Sequence, residues 1–91
     1  MTLQKLFSRA KNWTKYHSAI SANNQVVNVD SRKAVAFCLL GGLVRCYTPG
    51  AYQNIVRMIQ CHLGINSISN WNDAPKRTFK DIKKLIKDLN I

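Results

Sequence analysis

"AVAFCLLGGLVRCY", residues 34–47, is the most apolar stretch of the chain, with no charged residue from Ala34 to Val44. Such a stretch, apolar on all sides, belongs at the centre of a fold. Asp30 or Ser31 just before it can cap a helix. We therefore expect a central helix from about residue 31 to Tyr47. Gly41 and Gly42 oppose that helix, at about 1 kcal/mol each relative to Ala. The expected benefit is close approach of another helix or of a hairpin.

On the N-terminal side, Leu3, Leu6, Phe7, Ala10 and Trp13 follow helical spacing, and Thr2 is available as cap. This predicts a first helix over residues 3–14. Residues 1–29 lack any acidic residue. That basic, amphipathic character resembles an organelle transit peptide, but no apolar core follows as in a secretory signal. An ordinary first helix is the favoured reading. Residues 15–30 have no helical period, and Asn23-Asn24 suits a tight turn. Ala19-Ile20 and Val26–Val29 are expected to pair as a short hairpin packed on the helices.

On the C-terminal side, Thr48-Pro49 opens a third helix, Pro49 at the position where its missing N–H costs nothing. Tyr52, Ile55, Val56, Ile59 and Leu63 form its inward stripe, and Gly64 followed by Ile65 suits a Schellman stop. A fourth helix begins at Thr78, with Asp81 three residues on to complete a capping box. Phe79, Ile82, Leu85, Ile86 and Leu89 make its apolar face. The expected architecture is all-α: one four-helix domain over residues 1–91, with a hairpin-like segment between the first two helices.

Charge sets the candidate functions. Fourteen Lys and Arg face four Asp and no Glu, a formal charge of +10 on 91 residues. Such an excess favours polyanions, either nucleic acid or an acidic protein. Lys76, Arg77, Lys80, Lys83, Lys84 and Lys87 gather six cations on and before the last helix, and they are the expected contacts to phosphates. The alternative is a solvated face that keeps the surface soluble. No helix carries Arg, Asn or Gln arranged for base edges, and the apolar central helix does not suit a helix-turn-helix, so binding is expected to be non-specific.

"SNWNDAPKRT", residues 69–78, is the other candidate. Trp71, Asn72 and Asp73 could form a loop that binds a protein partner. They could instead make a joint, with Trp71 pinning the loop, Asn72 and Asp73 making Asx-turns or satisfying the free N–H groups of a helix start, and Arg77 pairing with Asp73. The joint is favoured.

Cys38 is a weak candidate for a thiol nucleophile, because it is expected about two turns inside the central helix and flanked by Phe37 and Leu39. Cys38, Cys46 and Cys61 form no disulfide framework, which suits a reducing, cytoplasmic setting. No C-x-x-C or H-x-x-x-H pair suggests a metal, no glycine loop suggests a nucleotide cofactor, and no apolar run approaches the length of a membrane span. Enzymatic activity is thus not the leading expectation.

Trp13, "FCLLGGL" at 37–43 and "ISNWNDAPKRTFKDI" at 68–82 together resemble a family of unknown function, made up of short bacterial and phage-associated proteins. Trp13, Phe37, Cys38, Leu39, Gly41, Trp71, Asn72, Asp73, Arg77 and Thr78 fall on its pattern. Asn24 stands where the pattern has a hairpin glycine, Gly42 where it has alanine, and Asp81 where it has glutamate. The resemblance covers about residues 10–90 and implies an entire small domain. It implies no activity. The family is not uniformly basic, so the lysine face is expected to be particular to this chain.

Overall fold

A computed structural model describes residues 1–91, and it is α+β where the sequence pattern suggested all-α. Five helices are present: α1 (Leu3–Leu6), α2 (Leu39–Cys46), α3 (Pro49–Leu63), α4 (Ile68–Asp73) and α5 (Phe79–Leu89). Strands β1 (Ala19–Ser21) and β2 (Ala34–Phe37) form a two-stranded antiparallel sheet.

The correction centres on "AVAFCLLGGLVRCY". Its first four residues are β2, Cys38 is an N-cap, and α2 follows directly from Leu39. A short, uninterrupted apolar run carries no period that separates a buried strand from a buried helix. Pairing decides it: Ala19 lies opposite Phe37, Ile20 opposite Ala36 and Ser21 opposite Ala34, leaving Val35 in a bulge. The anticipated turn at Asn23-Asn24 is present, with Asn24 at φ 62° and Ser21 N–H bonded to Gln25 O at 2.9 Å. That turn brings back only a single bridge, Ile20 to Val26. The main partner of β1 comes from the stretch assigned to the central helix.

The first helix is also shorter than its spacing implied. It ends at Leu6, and residues Ala10–Asn12 form a separate 3₁₀ turn. Trp13 then leaves the helical path and runs parallel beside Phe37, where the N–H of Thr14 donates to Phe37 O at 3.0 Å. Leu3 and Phe7 nonetheless bury fully in the core.

Around that core, Leu39 and Leu43 of α2 meet Ile55 and Ile59 of α3 and Ile82, Leu85 and Ile86 of α5, with Phe37 and Ile68 adjoining. Gly64 ends α3 in the left-handed conformation, and the N–H groups of Gly64 and Ile65 both donate to Gln60 O. Thr48 takes the N-cap position before Pro49, but its side chain makes no capping hydrogen bond. The capping box at α5 is formed in both directions: Thr78 N–H donates to Asp81 Oδ2 at 2.9 Å and Asp81 N–H to Thr78 Oγ1 at 3.4 Å. The chain ends also meet. Leu3 N–H and the Tyr47 hydroxyl donate to Ile91 O at 3.0 and 2.7 Å.

Both α2 glycines serve close approach. A Cβ on Gly41 would overlap the backbone oxygen of Ser18, and one on Gly42 would lie 2.8 Å from the Phe7 ring. Gly41→Ala is therefore expected to cost about 3 kcal/mol or more, since the carbonyl it strikes belongs to the backbone leading into β1. Gly50 of α3 has open space at the same position. Gly50→Ala should be neutral or stabilising by about 0.5 kcal/mol. Urea denaturation of the two variants checks the contrast.

Candidate nucleic-acid interface and the joint beside it

Trp71, Asn72 and Asp73 of "SNWNDAPKRT", expected in a loop, lie on the short helix α4, and they join distant segments of the chain. Ser67 caps α4 through Oγ, which accepts from Asn70 N–H at 3.2 Å. The helix places Asn72 in the interior, fully buried. Its Oδ1 accepts from the Trp13 indole N–H at 2.7 Å and from Leu39 N–H at 3.0 Å. Its Nδ2 donates to Thr14 O at 3.2 Å and to Asp73 Oδ1 at 2.9 Å. A carboxamide has two donor hydrogens and two acceptor lone pairs, and here all four are used.

Leu39 is the first residue of α2, so Asn72 answers a free N–H of that helix start from another part of the chain. The sequence pattern anticipated that role, but not which helix would be served. Asp73 in turn accepts the N–H of Tyr16 at 2.9 Å. It does not pair with Arg77 as expected. The Arg77 guanidinium instead lies 3.9 Å over the face of Trp71, donates from Nε to Trp71 O at 2.7 Å and reaches Asp81 at 3.8 Å. Trp71 is half-buried beneath it. The Trp13 ring packs on Phe79 of α5, with centroids 6.5 Å apart. Through these contacts the joint sets where α5 begins.

From that start, α5 turns its apolar stripe inward and exposes Lys80, Lys84 and Lys87, with Lys83 half-buried between them. Lys84 is paired with Asp88 at 2.7 Å, which occupies one cation of the face. Arg77 is engaged with Trp71 and Asp81. Lys76, Lys80, Lys83 and Lys87 make no ion pair and no side-chain hydrogen bond. The lysines of α5 border a groove of about 700 Å³ together with Gln4 and Asn90, whose side chains hydrogen-bond to each other at 3.1 Å. Neither residue carried a local signal for this, because they meet across 86 positions of sequence.

The two carboxylates within this basic field are held below the usual carboxylate range. For Asp81 the first cause is the hydrogen bond from Thr78 N–H, with Arg77 and Lys80 adding attraction. For Asp88 it is the hydrogen bond from Lys84, followed by the attraction of Lys84 and His62. Both groups are thus charged at neutral pH.

Cys38 stands at the N-cap of α2, not inside a helix, and its Sγ accepts from Gly41 N–H at 3.2 Å. A helix start usually favours a thiolate. Burial outweighs it here and pushes the Cys38 thiol up, with the charge of Asp73 acting in the same direction against the hydrogen bonds from Gly41 and Leu40. No histidine bonds the thiol. All three cysteines are free, and Cys61 is exposed. No group of three or more His, Cys, Asp or Glu residues is placed to hold a metal ion, and no helix is long and apolar enough to cross a membrane.

A family model described as a family of unknown function, DUF6197, matches residues 5–89. The chain belongs to that family. No curated protein and no solved structure matches it. The matched span runs from within α1, through the sheet and the joint, to the last residue of α5.

Asn72→Ala would leave the Trp13 indole and the Leu39 N–H without acceptors in the interior. The expected loss is about 3 kcal/mol in chemical denaturation. Iodoacetamide labelling at neutral pH should modify Cys61 first and leave Cys38 unmodified until denaturant is added. Mass spectrometry of the labelled peptides reads the order directly.

Proposed function

We propose that this protein is a small non-enzymatic binding module that holds nucleic-acid backbone through the outward lysines of α5. The observation that carries this reading is the set of four cations, Lys76, Lys80, Lys83 and Lys87, left without carboxylate partners in a chain of net charge +10. Unpaired cations on a surface keep their full attraction for phosphate and release condensed counterions when they meet it. Lys80, Lys83 and Lys87 follow one another at about one helical turn along α5, and Lys76 precedes its cap, so the positive charge repeats along one element. None of these groups has the bidentate geometry that reads base edges, and recognition of backbone without reading of sequence follows.

The neighbouring joint offers less to a partner protein. Asn72 is enclosed, Asp73 holds Tyr16, and Arg77 covers Trp71. An acidic protein partner would meet the same α5 lysines, and competition between it and nucleic acid is expected.

The test is fluorescence anisotropy of the purified protein with a labelled random-sequence duplex across a salt series. Binding through about four phosphates predicts a log–log salt slope near −3.6. Replacing Lys80, Lys83 and Lys87 together by Ala should reduce the slope magnitude by about 2.7 while leaving circular dichroism unchanged. Absence of binding at low salt, to this duplex and to a labelled single strand alike, would remove this reading.

A further inference from the structure

Among the Phe, Trp and Tyr residues only Tyr16 is exposed to solvent, at 69% of its surface, and its backbone lies at φ 74°. The other two non-glycine residues at positive φ are Asn24 and Asn90, a residue type that tolerates this conformation. Tyrosine does not share that tolerance, and a ring so exposed contributes little burial to the fold. A glycine or asparagine would satisfy the backbone here with less strain, so folding alone does not account for the ring.

Two neighbouring residues tie this point to the end of α4 and the residues after it. Asp73 Oδ1 accepts the N–H of Tyr16 at 2.9 Å, and Lys15 Nζ donates to Ala74 O at 2.8 Å and Pro75 O at 3.4 Å. Lys76, exposed and unpaired, is the residue after Pro75. The backbone that carries the ring is therefore held against Asp73–Pro75, the segment that leads through Lys76 into α5.

We propose that Tyr16 is a stacking platform for an unpaired base, so that the polyanion this protein prefers is a single strand. The inference rests on the backbone-binding reading above and names the form of nucleic acid that surface takes. A phenol ring standing on a surface has no access to a base enclosed in a duplex stack, whereas a single strand presents its base faces. Stacking on an aromatic platform beside cations is tolerant of sequence, in keeping with the absence of base-edge readers on α5.

Anisotropy titrations with the full chain separate the two ideas. The probes are a short labelled oligothymidylate and an abasic oligonucleotide of the same length, which keeps the phosphates and removes the bases. The wild-type protein should bind the oligothymidylate about tenfold more tightly. Tyr16→Asn, which suits the left-handed backbone, should lose that margin with abasic affinity unchanged and thermal stability retained. Tyr16→Phe should keep the margin. Equal wild-type affinity for the two probes, or a folded Tyr16→Asn that keeps the margin, overturns the platform while the lysine reading stands. No wild-type binding to either probe at low salt overturns both.

Discussion

The side chain of Asn72 is the point on which the rest of this fold depends. Its four hydrogen bonds join Trp13 and Thr14, the start of α2, and Asp73, and they do so without solvent. A buried amide with a missing partner would be costly. One with every partner present is specific, because displacing any of these segments leaves a polar group unmet in the interior. Trp13 is held in the extended conformation that lets it run beside β2, and α2 is held with its first N–H answered. Trp13 then packs on Phe79, so the same node reaches the first residue of α5.

Around that node the molecule divides its labour between glycine contacts and charge. Gly41 and Gly42 allow α2 to lie against the Ser18 carbonyl and the Phe7 ring, which brings β1 and α1 within reach of the core. None of these contacts involves the lysines. The basic surface is carried by α5, whose inward stripe and capping box hold it in place. This separation means that the outward lysines can be replaced without disturbing the interior. The span shared with the family includes both the node and α5.

Much of the C-terminal half is legible in local patterns. The apolar stripe of α3, the glycine stop at Gly64, the Thr78–Asp81 box and the two faces of α5 all depend on residues a few positions apart. The roles of Gly41 and Gly42 are legible in kind, though not in partner. The N-terminal half is less legible, because its elements are decided by distant segments. Ala34–Phe37 is compatible with helix or strand until Ala19–Ser21 lies beside it. Trp13 continues a helical spacing until Asn72 offers its indole an acceptor.

The six basic candidates sit on and before α5 as the spacing placed them, but two of them are engaged by Asp81 and Asp88. That pairing separates the free cations from the occupied ones. By itself the sequence determined what propensity, capping and periodicity control: the long helices, their ends, their apolar faces and the total charge. Only the tertiary structure decided the strand inside the apolar stretch, the fourfold bonding of Asn72, the N-cap position of Cys38 and the outward ring of Tyr16. Each of these rests on at least one contact between groups far apart in the chain, such as Ala19 with Phe37, Asn72 with Trp13 and Leu39, or Tyr16 with Asp73, and no short window along the sequence contains both halves of such a contact.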